Sequence, residues 1–224
     1  MRKPTIKMKT KFALLFFILF SSSSYSVNET YNWRLEKNEI GIKVYSRPMK
    51  GFDFREVRVV NKVKSTLAAI VAVILDTKNY PKWVYGCSST ATLKILNDQE
   101  IYNYQVTDLP WPLSDRDVVS HFKVTQDPIT KVVTFSKTGM ADYIPDAEGM
   151  VRVQNFQSIT VLTPLAGDSV LIELEMHLDA SGNIPDWVVN ENMVAAPFNS
   201  TVSMIKRIPL YQAAYYYFIK EDLE

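Results

Sequence analysis

The 224-residue chain reads as an α+β protein, a strongly curved antiparallel sheet wrapped around a long helix that closes the chain. Three observations predict this class. Runs of period-two alternation, separated by turn residues, fill most of the chain between residues 40 and 179. One helical pattern interrupts them, at about residues 66–75. The last third, Ser181 to Pro209, then passes from a turn into a long segment where Val194, Phe198, Val202 and Ile205 recur at helical spacing and Ile208 extends the stripe.

Taken in order, Ile40, Ile42 and Val44 share one face of a first strand, with Lys43, Tyr45 and Arg47 on the other. A second strand over 53–63 follows the Lys50-Gly51 turn. Ser65 suits the N-cap of a helix whose apolar positions are Leu67, Ile70, Val71, Ile74 and Leu75. Residues 79–83 (Asn-Tyr-Pro-Lys-Trp) predict one more helical turn. Strands follow at 89–96, 100–107, 117–125, 131–137, 150–162 and 169–179. Turn signals at Asn97-Asp98, Asp127-Pro128 and Ala166-Gly167-Asp168 separate some of them. In the last strand Val170, Ile172, Leu174, Met176 and Leu178 alternate with Glu173, Glu175, His177 and Asp179, the pattern of a strand with one wet face. Ser181-Gly182-Asn183 then turns the chain into the closing helix. There Pro185 suits the first turn and Asp186 the positive end of the dipole. Pro197 removes one backbone hydrogen bond inside that helix and predicts a kink or weak point. Tyr211–Ile219 reads as a second short helix, packed on the domain or touching a membrane.

The first 26 residues stand apart. Arg2, Lys3, Lys7, Lys9 and Lys11 precede the apolar run Phe12–Phe20, and serines follow, with Ser24 and Ser26 flanking Tyr25. This is the pattern of a secretory signal peptide cleaved near Ser26, and the apolar run is short for a membrane span. It predicts an exported, periplasmic protein with one domain over 27–224. Removing the leader takes five basic and no acidic residues, leaving 20 basic against 24 acidic, so no nucleic-acid partner is expected. Cys87 is the only cysteine, which excludes an intrachain disulfide. Seven glycines are few, and there is no internal repeat. A monomer is expected.

Candidate chemistry centres on Trp111 to Asp117, which leads into a strand. Parity places Arg116 with Val118, Ser120, Phe122 and Val124, and places Asp117, Val119, His121 and Lys123 on the other face. Lysine rarely sits buried, so Arg116 is expected to point inward, where its charge needs an acceptor. Glu100, in phase with Tyr102, Tyr104 and Val106, is one candidate partner and Asp98 another. Arg116 then serves either a ligand's polar group or a structural ion pair. His121 and His177 both fall on outward faces, and with one cysteine they make a poor ligand set, so neither metal nor cofactor nor catalytic group is expected. Met193 and Phe198 on the closing helix could wall a cavity or fill an ordinary core.

A set of motifs in order points to a family. They are Trp33 with Leu35, Tyr80-Pro81-Lys82-Trp83, Pro112 to Asp117, Asn155-Phe156-Gln157 with Thr163-Pro164, and Gly182 to Asn190. On these the chain resembles the StAR-related lipid-transfer (START) domain over residues 31–209. The resemblance implies a helix-grip fold with an internal hydrophobic cavity holding one sterol or phospholipid, without catalysis and with transient membrane contact. It implies that Arg116 lines that cavity. The lining expected here is Arg116, Glu100, Tyr102, Tyr104, Phe122, Met193, Phe198 and Val202. The leader departs from the cytosolic relatives and suggests a bacterial exported member. The alternative is an enzyme of the same fold, cyclase- or hydrolase-like, acting on a hydrophobic substrate in the same cavity.

Overall fold

The computed structural model describes residues 32–49, 55–179, 184 and 186–221. The expected leader over 1–26, the Lys50-Gly51 and Ser181-Gly182-Asn183 turns and Pro185 lie outside the described residues. Ten strands are found among the described residues: β1 (Arg34–Glu39), β2 (Ile42–Pro48), β3 (Arg55–Lys64), β4 (Cys87–Asn97), β5 (Glu100–Thr107), β6 (Arg116–Gln126), β7 (Val133–Gly139), β8 (Val151–Arg152), β9 (Asn155–Leu165) and β10 (Ser169–Asp179). They form one sheet in the order β1-β2-β3-β10-β9-β7-β6-β5-β4, all neighbours antiparallel, with β8 laid parallel beside β6. Register shifts at Leu35/Lys37 in β1 and at three places along β4 are bulges, which sharpen twist and bend a strand.

The first hairpin corrects the sequence reading. Ile40 belongs to no strand: it turns the chain with Gly41, both at positive φ (46° and 79°), and is 76% exposed. A strand therefore precedes it, β1, whose pattern RLEKNE carries too little apolar alternation to announce itself. The predicted run over 150–162 also divides. The chain leaves the sheet between β8 and β9, so that two residues lie beside β6 and the rest pairs with β7 and β10.

Helix α1 (Leu67–Leu75) has no wet side, since Leu67 to Ile74 are all buried. Its N-cap is Thr66, one residue beyond Ser65, and the Thr66 hydroxyl accepts from Ala69 N at 3.2 Å. Glu221 caps the same end: its carboxylate accepts from Leu67 N and Ala68 N at 2.8 and 2.7 Å. That contact explains the last residues of the chain. After α2 (Asp186–Arg207) comes a 3₁₀ turn at Ile208–Tyr211, then an irregular strap that buries Ile219 and exchanges hydrogen bonds between Gln126 and the Lys220 backbone. The strap packs on the domain, and no second α-helix forms among its described residues.

The core has two parts. The larger joins α1 to the inner faces of β6, β7, β9 and β10, with Met204, Ile208 and Ile219. The smaller joins Ile42, Val44, Val57 and Val59 of β2 and β3 to Phe198, with Met193, Val194, Val202 and Ile205 of α2 packed against it. Helix α2 runs through Pro197 without interruption. The hydroxyls of Ser200 and Thr201 bond back to the carbonyls of Ala196 and Pro197, both at 2.8 Å, around the place where the ladder is broken.

Candidate functional site: a two-lobed cavity under the closing helix

Between the sheet and α2 lie two cavities, of about 230 and 220 Å³, that share Met176, Ala196 and Pro197 as walls. They are lobes of one site. The inner lobe is bounded by rows of residues that the strand register places side by side. One row runs Val57, Met176, Ser158, Lys137, Phe122 and Ile101 across β3, β10, β9, β7, β6 and β5, and three of its middle members, Met176, Ser158 and Lys137, line the lobe. The next runs Val59, Leu174, Thr160 and Phe135, and the one beyond begins Asn61 and Ile172. Tyr80, Trp83 and Ile74 close the far side. The outer lobe lies under Arg116, Val118 and Leu178, and is edged by the loop residues Tyr85, Gly86, Asp108 and Leu109.

Helix α2 meets this site with one stripe and the protein with another. Met193, Ala196, Pro197, Ser200, Thr201 and Met204 line the lobes. Phe198 and Val202, expected in the cavity, instead pack on β2 and β3, and Lys37 Nζ lies 4.2 Å over the Phe198 ring. The bulky stripe visible in the sequence is the one that grips the sheet. The neighbouring stripe is small in its middle, and its small side chains leave the space open.

Arg116 is 6% exposed and lines the outer lobe, as does Met193. Phe122 is buried in the Lys137 row and belongs to the core. Glu100, Tyr102 and Tyr104 are corrections. The register pairs Phe122 with Ile101, so Ile101, Asn103 and Gln105 share its face and the other three residues take the opposite one. Glu100 bonds His121 Nε2 at 2.7 Å, and Tyr102 stacks between His121 and Tyr143 at 5.0 and 4.4 Å. The His121 hydrogen bond holds the Glu100 carboxyl below its ordinary range. The register also pairs Thr107 with Arg116 and Glu100 with Lys123, putting Glu100 at the far end of the strand from the guanidinium. Arg116 donates instead to the Ser114 carbonyl, and Asp115 stands near it. Burial lowers Arg116, and Asp115 acts in the opposite sense.

Asp117, expected on the wet face, is fully buried and pairs with Arg152 at 2.9 Å. Arg152 also donates to the carbonyls of Ile144 and Pro145, at 3.1 and 3.2 Å. The segment between β7 and β9 thus lies over the outer face of β6 and buries what period-two reading leaves exposed.

The residue missed by sequence reading is Lys137. It follows Val133 and Phe135 on the inward face of β7, a parity signal available in the sequence. Its Nζ donates to Tyr80 Oη at 2.9 Å and lies 4.4 and 4.7 Å from the Tyr80 and Phe122 ring centres. Tyr80 Oη in turn donates to the Ile74 carbonyl at 2.7 Å. Burial lowers the amine to about 8. Asn61, 3% exposed, also lines the inner lobe, and its side-chain amide makes no hydrogen bond among the described residues. Among the described residues no group of His, Cys, Asp and Glu could hold a metal ion, and no helix is long and apolar enough to cross a membrane.

The family model described as the START domain matches residues 27–207. An uncharacterized protein of Pseudomonas aeruginosa is 30% identical over 171 residues, covering 75% of this chain and 83% of that protein. Among solved structures, a StAR-related lipid transfer protein of Xanthomonas axonopodis aligns with a TM-score of 0.73 and 31% identity, over 79% of this chain and 98% of that one. Human StAR-related lipid transfer protein 5 aligns with a TM-score of 0.70 and 19% identity, over 82% and 89%; at that identity it bears on the fold alone.

Proposed function

Because the chain belongs to the START domain family, we propose that it binds one lipid, of sterol or phospholipid class, in the two-lobed cavity and carries it between membranes unaltered. The observation that carries this reading is the cavity itself, walled largely by apolar side chains of the sheet and roofed by the small stripe of α2. The driving force is desolvation, about 0.8 kcal/mol for each methylene removed from water. The polar groups inside, Arg116, Lys137 and Asn61, give orientation to an otherwise slippery ligand.

Export to the periplasm, with the leader removed near Ser26, and action as a monomer complete the reading; the basic, apolar and serine-rich order of residues 1–26 supports the first. Transient membrane contact fits the loop after β5. Trp111 is 92% exposed there, and Asp108 and Leu109 of the same loop edge the outer lobe. An indole is suited to the membrane–water interface.

The test is to fill the waist. Ala196 borders both lobes, so A196F is expected to cut transfer of labelled lipid between vesicles at least about tenfold, while the folded state keeps its thermal stability. Undiminished transfer by a folded A196F protein would remove the cavity from the mechanism.

A further inference from the structure

The inner lobe holds a cation, and the acceptors that line it among the described residues are neutral, the Asn61 and Gln105 amides and several hydroxyls. Lys137 brings an ammonium with three N–H groups, one of them spent on Tyr80 Oη. Trp83, whose ring meets Tyr80 edge-on at 5.0 Å, brings an indole N–H that is buried and makes no hydrogen bond among the described residues. Both side chains line the lobe, and both flank the same tyrosine. The Tyr80 hydroxyl is committed to the Ile74 carbonyl, and Ser158, the strand partner of Lys137, adds a further hydroxyl. No aspartate or glutamate lines this lobe among the described residues. A desolvated cation without a carboxylate is costly, and the ring faces of Tyr80 and Phe122 offset only part of that cost.

We propose that Lys137 and Trp83 form an anion seat inside the lipid cavity, and that it takes the carboxylate of a single-headed, fatty-acid-type amphiphile. The chain of such a ligand lies along the Val59, Leu174 and Phe135 row toward Ile172, under Met204. The head meets the ammonium in a charge-assisted hydrogen bond, with the indole N–H as its second donor. This rests on the lipid-binding reading and narrows it, since an uncharged ligand of equal length leaves the cation unmatched. At neutral pH the amine, lowered to about 8, is still mostly charged. The titratable groups facing it are Tyr80 and Cys87. Burial pushes the thiol up to about 11 and the phenol higher still, and the other neighbours, Phe122 and Ser158, do not titrate.

The experiment is calorimetric titration of the mature chain with oleate and with oleyl alcohol, from about pH 7 to about 9.5, in the wild type and in K137M and W83F. Oleate is expected to bind at least about tenfold more tightly than the alcohol at pH 7, as one charge-assisted bond in a dry site requires. Its affinity should fall as pH rises through about 8 while that of the alcohol stays flat. K137M should erase both the preference for oleate over the alcohol and its pH dependence, and W83F should lose part of that preference. Equal affinities for the two ligands in the wild type, or an oleate preference that survives K137M, would overturn the seat. Uptake of phosphatidylcholine or cholesterol from vesicles with no oleate preference would sink the seat while leaving lipid carriage intact. Failure to take up any of the four would sink both.

Discussion

Lys137 is held where an amine is least at ease, and the fold bears that cost at neutral pH. Its amine falls from an ordinary 10.5 to about 8 because burial disfavours the charged form. Below pH 8 both folded and unfolded chains carry the proton and the penalty is fully present. Between about 8 and 10.5 the unfolded chain binds the proton that the folded one has released, so stability rises with pH across that window and then levels. Partial solvent screening leaves a penalty of roughly 1–3 kcal/mol. K137M, similar in length and uncharged, is therefore expected to be more stable than the wild type by that amount at pH 7, and the gap should close by about pH 10.5. Denaturant titrations at the two pH values read this difference directly. A variant no more stable at pH 7 would mean that the ammonium is better satisfied than its neighbours indicate. The position was legible in principle from Val133, Phe135 and Lys137 standing in phase. The rule that lysines face water, used to set the phase of β6 through Lys123, hid the exception one strand away.

At the scale of elements, α2 and β6 show two limits of periodicity. The bulky positions of α2, Val194, Phe198, Val202 and Ile205, were plain in the sequence, and they are the ones that bind the helix to the sheet. The cavity stripe was not legible because alanine, proline, serine and threonine carry no amphipathic signal; what matters there is the volume they leave empty. In β6 the alternation holds from Ser120 onward and fails at Asp117 and Val119, both buried on the face expected to be wet; Arg152 covers that face at Asp117. β5 had the right bounds and the wrong phase: neither phase of EIYNYQVT is wholly apolar, and only the pairing of Ile101 with Phe122 decides between them. The Arg152–Asp117 pair holds the covering segment down, with side chains 2% and 0% exposed. R152M leaves a buried carboxylate unmatched and is expected to cost about 3–5 kcal/mol, and R152M with D117N distinctly less. Thermal unfolding of the single and double variants checks this; additive losses would show that the two side chains do not depend on each other.

Over the whole molecule, most strands after β1, the single early helix and the closing helix were legible because each rests on local alternation or on turn residues. The crossovers that put β3 beside β10 and β7 beside β9 were not, since no local pattern records which edges meet. The strap after α2 was legible as apolar and not as a cap, because Glu221 reaches α1 only once the chain has closed. Together these features build a sheet bound along one side of α2 and left open beneath the other, the arrangement that the proposed lipid carriage requires. The most direct measurement of that claim is native mass spectrometry of the protein recovered from its own compartment, with the bound lipid extracted. The account predicts one lipid molecule per chain, recovered chemically unaltered and exchangeable with vesicles. A chain that emerges empty and takes up no lipid from vesicles would contradict it.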